Sequence, residues 1–451
     1  MTRIVQLLAV PAHAAGYYED RAALDAEHVP LPQRFTAAPT SPGFRALREP
    51  AEAVSVGLVL DTGQVAWGDC AAPPGEGVRL FRAADGTAAL RDAVAPHLVE
   101  RPITSWREMA GEVAALVEAV EIERPVAREK PDSEGVSRRT LLTAPMRAVQ
   151  AAREPATERV VVERRLHPAV RFGLGQALLH AVALVRGMSP AGVVAAEWDL
   201  PAPGAPVAVH AHAGHDWHYD AERMIVRRAA SLPGAQVDHV AQQVGAGGAE
   251  LSRYLRWLAG RIGELAGTGY QPVIHVDLRG ALGKTQHDHV GHMLGQLYTW
   301  QVAAAPYTLR VEDAVLNQDR AVQIGRLREL REAIRLRKLR VEIAAGAGVR
   351  TLDDVRAYLA AGAADLIHLR LPQFGDLHAA VDAALACKEA NVRVLIDGGA
   401  AGTDLGARAA AHLALATGAD LVAAGPGIGV DEGIGLVRNE MARTLASILG
   451  S

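Results

Sequence analysis

From Pro206 onward the apolar and polar positions fall into a repeating pattern. Short runs of aliphatic and β-branched residues alternate with longer stretches whose apolar positions recur every three to four residues. The short runs predict strands at Val207–Ala213, Met224–Leu232, Val273–Leu278, Thr308–Glu312, Leu339–Ala344, Asp365–Leu371, Val392–Asp397 and Asp420–Ala424. The stretches between them, such as Leu251–Ala266, Ala321–Arg337, Leu352–Ala361, Leu377–Ala390 and Leu405–Thr417, predict helices. Such a run of β-α units fits a closed, TIM-type (β/α) barrel better than an open doubly wound sheet. No Gly-rich phosphate loop follows any strand: Gly398-Gly399 and Gly425-Pro-Gly-Ile-Gly429 have neither the spacing nor the context.

The first part of the chain reads differently. Ile4–Val10, Val54–Asp61 and Gln64–Asp69 predict strands, with Asp61-Thr-Gly-Gln64 as a tight turn, and Thr87–Leu98 and Ser105–Val120 predict helices. This is a small α+β domain. Gly68–Ala72 leads into the Pro/Gly-rich Pro73–Gly77, a candidate loop over a neighbouring site. Between Glu121 and about His167 the composition turns to Arg, Glu, Pro and Ala. We read that segment as a solvated excursion or a partner-contacting arm, with an amphipathic helix at Arg138–Arg153. Ala169–Arg186 and Pro190–Glu197 predict helices again. The expected division is therefore 1–165, an N-terminal α+β domain with a charged insertion near 121–165, and 166–451, the barrel.

Two strands end in acids. Val273-Ile-His-Val-Asp-Leu-Arg-Gly280 places Asp277 at a strand end, and Tyr307-Thr-Leu-Arg-Val-Glu-Asp313 places Glu312 likewise. An unpaired charge in a core is expensive, whereas the C-terminal mouth of a parallel barrel is where strand ends carry chemistry. Two acids facing one cavity suggest a divalent, oxygen-ligated metal site; the alternative is a pair of acids bonded to a neighbouring Arg or to backbone. Side chains alternate along a strand. On that parity His210 and His212 share a face, as do His275 and Asp277, Arg310 and Glu312, His368 and Arg370, and Leu395 and Asp397. The mouth then holds His212, Asp277, Glu312, His368, Arg370 and Asp397. His210-Ala-His212-Ala-Gly-His215-Asp-Trp-His218 is a local histidine cluster that matches no closed structural zinc pattern.

Composition narrows the class. The formal net charge of −4 leaves no basic footprint for nucleic acid. Only Cys70 and Cys387 are present, which points to a reducing, cytoplasmic setting without structural disulfides. The apolar run Ile4–Val10 is too short for a membrane span. Lysine is scarce: Lys130, Lys284, Lys338 and Lys388 are all there are, and only Lys284 lies near a strand end.

Taken together, Gly425-Pro-Gly-Ile-Gly-Val-Asp-Glu-Gly433 with Val437-Arg-Asn-Glu-Met441, Gly57–Asp69 with Cys70-Ala-Ala72, Arg165-Leu-His167 with Gly173–Ala177, and His275-Val-Asp277 resemble the 3-methylaspartate ammonia-lyase family of the enolase superfamily. The similarity spans nearly the whole chain except the excursion near 121–165, which we expect the family to lack. It implies a capping domain over the barrel, a homodimer, and a small carboxylate-bearing substrate. In that family three acids at successive strand ends bind Mg²⁺, a lysine removes the proton beside a carboxylate, and a histidine opposite assists. The resemblance implies metal ligation by Asp277 and Glu312. The third acid aligns with Gly346, the base lysine with Arg370 and the assisting histidine with Gly234. Two substrate-binding glutamines become His212 and His368, and a Thr-Cys pair becomes Ala400-Ala401, with Asp397 before the glycines. Arginine stays protonated, so Arg370 is a poor base and a good carboxylate clamp.

Three readings follow. The first is a lyase of this reaction class, with Arg370 as clamp, His368, His212 or Asp397 as base, Lys284 within reach of the mouth, and 3-methylaspartate itself a poor substrate. The second is a repurposed enzyme with a His-rich site for Zn²⁺, Mn²⁺ or Fe²⁺. The third is an inactive paralogue serving as a partner subunit.

Overall fold

The computed structural model describes residues 1–26, 29–72, 79–125, 157–267, 269–399 and 402–450. The loop at Pro73–Gly77, the helix expected at Arg138–Arg153 and the Ala400-Ala401 pair lie outside them.

Three antiparallel strands, β1 (Ile4–Glu19), β2 (Arg48–Leu60) and β3 (Val65–Cys70), form the N-terminal sheet in that order. The turn at Asp61–Gln64 is as expected, with Gly63 in the left-handed region at φ 83°. β1 runs well past Val10, pairing with β2 as far as Glu19 across an irregularity between His13 and Tyr17. A helix over Pro168–Arg186 lies on β3, and the approach is close because two glycines face it. A Cβ on Gly68 would overlap the carbonyl oxygen of Gly173, and a Cβ on Gly173 would overlap Cys70. By length and composition this helix is also apolar enough to cross a membrane, but 78% of it is buried, and it serves as a core helix.

The helix expected over Ser105–Val120 stops at Ala115. Val117–Pro125 is instead a strand, β4, paired antiparallel with β5 (Thr157–Arg165). Val117-Glu-Ala-Val-Glu-Ile-Glu123 mixes β-branched and acidic residues and changes parity at Ala119-Val120, so it shows neither a clean strand nor a clean helix period. Glu118 and Arg164 sit opposite each other and their side chains bond at 2.9 Å. The described residues of 115–166 group apart from the rest of the chain, and those at the two ends of the expected excursion pair as antiparallel strands. Residues 1–114 and 167–451 form the other unit.

Within that unit eight parallel strands close into a barrel in chain order. They are β6 (Ala208–Ala211), β7 (Ser231–Gln236), β8 (Val273–Asp277), β9 (Leu309–Glu312), β10 (Val341–Ala345), β11 (Leu366–Arg370), β12 (Arg393–Asp397) and β13 (Leu421–Ala424). Seven of the expected strands are in place; the second is not. Met224–Val226 ends a helix that begins at Trp217, where Asp216 accepts a hydrogen bond from the Tyr219 amide at 3.0 Å. Met224 and Ile225 are that helix's buried face. The second strand is the Pro- and Gly-containing Ser231–Gln236, bulged between Pro233 and Ala235 with Gly234 at φ 56°.

The N-terminal sheet and the segments after it touch the loops that leave the C-terminal ends of the barrel strands. Ala15 donates to the Gly402 carbonyl at 3.0 Å, Arg21 pairs with Asp238 at 2.7 Å, and Arg48 bonds His215 at 2.6 Å. These contacts roof a cleft of about 790 Å³ whose floor is the barrel mouth.

Candidate active site at the barrel mouth

Glu312, at the end of β9, is the hub. It is 1% exposed, and both of its oxygens are occupied. His275, one layer below Asp277 on β8, bonds Oε2 at 3.0 Å. His368 on β11 reaches both oxygens through Nδ1 at 2.9 and 3.0 Å. Arg370, two residues on, donates from Nη2 to Oε1. The same Nη2 donates to Asp277 Oδ2 at 3.2 Å. Asp277 also accepts from Gln236 Nε2 at 2.9 Å and from the Arg279 amide at 3.0 Å.

Asp397, ending β12, forms the second focus. Its Oδ1 accepts from the Gly399 amide at 2.7 Å, and its Oδ2 lies 3.3 Å from His368 Nε2 and 3.8 Å from His212 Nε2. His212 is anchored through Nδ1 to the Gly234 carbonyl at 3.2 Å, while its Nε2 has no hydrogen-bond partner. His210 lies beneath it, bonded to Ser231 Oγ at 2.9 Å.

The protonation states follow from this geometry. Burial alone would raise Glu312, but His368 and Arg370 hold it well below the usual carboxylate range. Asp277 is raised by burial and by Glu312, against the pull of Arg370. Burial penalises an imidazolium at His368, yet Glu312 and Asp397 outweigh it and raise His368 to about 9. Burial lowers His212 despite Asp397, leaving it neutral near pH 7. Burial would raise Asp397 too, but its bonds to His368 and the charge of His212 push it far down. Arg370 is held more firmly protonated than a free guanidinium, because the charges of Glu312 and Asp277 outweigh its desolvation.

His212, His368, Arg370, Asp397, Asp277 and Glu312 therefore converge on one mouth. Lys284 does not join them: it is exposed on a short helix, Ala281–Thr285, and lines the cleft higher up. Gln236 and Asp313 were missed by the sequence reasoning. Gln236 sits in register with Asp277, but only a second strand placed at Ser231–Gln236 reveals that. Strand parity turns Asp313 outward, yet its φ of 49° swings it inward, where it accepts from the Gly346 and Ala347 amides. Burial, Glu312 and Asp277 push it up to about 7.

Residues 203–449 match the model of the methylaspartate ammonia-lyase C-terminus, and residues 2–128 and 130–199 match that of its N-terminus. The chain belongs to the methylaspartate ammonia-lyase family. Methylaspartate ammonia-lyase 2 of Carboxydothermus hydrogenoformans is 33% identical over 448 residues, covering 98% of each chain. The methylaspartate ammonia-lyase of Haloarcula marismortui is 33% identical, covering 98% of this chain and 97% of its own. Among solved structures, β-methylaspartase from Clostridium tetanomorphum in an Mg complex superposes with a TM-score of 0.82 at 30% identity, over 99% of both chains. The Citrobacter amalonaticus lyase containing (2S,3S)-3-methylaspartic acid gives 0.84 at 28% identity, over 99% of this chain and 100% of its own. The match through residues 130–199 overturns the expectation that the family lacks the segment near 121–165.

A divalent ion is suggested by the Mg complex of the Clostridium relative and by two groups of ligand-type side chains among the described residues. In each of these groups, Asp277, Glu312 and Asp313 or His212, His368 and Asp397, the donor atoms lie within 4.8 Å of one another. The acidic group does not fit an Mg²⁺ ion such as that of the Clostridium relative. Each of its six carboxylate oxygens already accepts a hydrogen bond. Arg370 bridges two of the three acids, and a doubly charged ion about 4 Å from a guanidinium meets a repulsion of about 8 kcal/mol at an effective dielectric near 20. The alternative raised for the two strand-end acids, a pair bonded to a neighbouring Arg, is the arrangement present here.

Proposed function

We propose that this protein is a carbon–nitrogen lyase acting on a small amino acid that carries a carboxylate, with 3-methylaspartate a poor substrate. The observation that carries this reading is the pairing, at one barrel mouth, of a fixed guanidinium with a neutral imidazole whose Nε2 makes no hydrogen bond and lies 3.8 Å from Asp397 Oδ2. Arg370 is 18% exposed and hydrogen-bonds Asp277 and Glu312 through Nη2, while its Nη1 stands 3.9 Å from Asp313 Oδ2 and makes no hydrogen bond. Its Nη1 and Nε donors are left for a substrate carboxylate, and its charge is fixed where negative charge grows as the neighbouring proton is removed. His212 Nε2 takes that proton: it is neutral, held in one tautomer by the Gly234 carbonyl, and its protonated form is stabilised by Asp397. Ammonia then leaves from the adjacent carbon. His368 stays protonated between Glu312 and Asp397 and keeps both acids ionised and aimed. Lys284 and Arg350 line the cleft and carry no ion pair among the described residues, so they suit a second anionic group of the substrate. We further read residues 1–114 as the cap, 167–451 as the barrel, and the protein as a cytoplasmic homodimer.

A second reading rests on the group of His212, His368 and Asp397. Each imidazole bonds through its other nitrogen, to the Gly234 carbonyl and to Glu312, as metal-bound histidines do. Such a site suits a borderline transition ion. Elemental analysis of protein purified without chelators separates the two readings, since stoichiometric zinc, manganese or iron supports only the second.

The lyase reading is tested by incubating the protein with a panel of amino mono- and dicarboxylates and measuring released ammonia. Release from at least one member, faster than from 3-methylaspartate, is expected. Silence across the panel contradicts the reading and favours an inactive partner subunit.

A further inference from the structure

Positions 346 and 370 face each other across the acid group. Gly346 follows β10 and faces the space between Glu312 and Arg370. A Cβ there would overlap Glu312 Oε1 and stand 3.0 Å from Arg370 Nη1 and 3.1 Å from its Cζ. A side chain at 346 therefore requires Glu312 Oε1 to shift and the Arg370 guanidinium to give way by a few tenths of an ångström. The guanidinium occupies the point toward which Asp277, Glu312 and Asp313 converge, donating to the first two and standing 3.9 Å from the third. No carboxylate oxygen of the three lacks a protein donor.

We propose that Arg370 is the resident cation of this site, covalently built into the chain in place of a divalent ion, and that Gly346 is the vacancy that admits it. This deepens the lyase reading. A built-in guanidinium supplies the positive charge that faces a substrate carboxylate without loading of any ion. It also fixes what the site accepts: planar, paired oxygens in the fork geometry of a carboxylate rather than single oxygens around a sphere.

The test reads ion binding, so it does not depend on turnover, and its failure is distinct from failure of the lyase reading. Mg²⁺ is titrated into the purified full-length protein by calorimetry and by thermal shift, up to millimolar concentrations. The wild type is expected to show no binding and no shift. Arg370→Ala opens the acid group and is expected to bind one Mg²⁺ and to rise in melting temperature with it. Adding Asp277→Asn to that variant abolishes the gain. Arg370→Lys, which keeps a charge at the same place, is expected to gain nothing, and it serves as the folded control if the alanine variant is unstable. Stoichiometric Mg²⁺ binding by the wild type, lost in Asp277→Asn, overturns the proposal. So does a folded Arg370→Ala protein that gains no Mg²⁺ affinity.

Discussion

Gly346 lies hard against Arg370: a Cβ on Gly346 would stand 3.0 Å from Arg370 Nη1 and overlap Glu312 Oε1. Because the guanidinium also holds Asp277 and Glu312, this one steric relationship sets both the charge and the shape of the mouth.

Any side chain at 346 must therefore displace Arg370 or Glu312. Gly346→Ala is expected to destabilise the fold by about 1–3 kcal/mol, the usual range for overpacking a filled interior. It is also expected to lower turnover, because the clamp moves. Chemical denaturation alongside steady-state kinetics checks this, and an unchanged midpoint with unchanged kinetics contradicts it.

His212 supplies no hydrogen bond from Nε2, so its loss leaves few partners stranded. His212→Asn is expected to leave the melting temperature within a few degrees of wild type while lowering kcat about 10²–10⁴-fold, the range for a removed general base. A large loss of stability, or activity within a few-fold of wild type, argues against that role.

The pH dependence turns on His368. Its folded pKa, about 9, lies above the ordinary 6.5 because Glu312 and Asp397 outweigh the cost of burial. A raised pKa means the contribution to stability is complete below about 6.5 and is lost as pH rises through about 9. Activity is expected to fall over the same alkaline limb, as Glu312 and Asp397 lose their shared partner. Because His212 is lowered from 6.5, the acid limb lies below that value. His368→Gln is expected to remove the alkaline change in melting temperature; persistence of that change assigns it to another group.

Much of the fold was legible because the barrel repeats one pattern. Aliphatic strands such as Val273–Asp277 and Arg393–Asp397 have buried interiors and ends that carry acids, so their parity alone placed Asp277, Glu312, His368 and Asp397 on one mouth. The failures have local causes. Ser231–Gln236 contains Pro233 and Gly234, which argue against a strand, and a bulge absorbs them. Without that strand Gln236 had no place beside Asp277. Asp313 was lost because parity fails where a chain turns through positive φ. The β4–β5 pair was lost because its charged residues and broken parity look like solvated chain until the partner strand is known. What parity left open was whether the two strand-end acids meet an ion or the arginine beside them. That depends on how Arg370 reaches Asp277 and Glu312 across the mouth, which strand parity does not give.

The most direct measurement is a crystal structure of the protein with a slowly reacting carboxylate-bearing amino acid soaked into the cleft. The carboxylate is expected on Arg370, with Nη2 still bonded to Asp277 and Glu312 and the neighbouring C–H facing His212 Nε2. A ligand held instead by an ion seated between Asp277 and Glu312, with Arg370 swung away, would contradict the account.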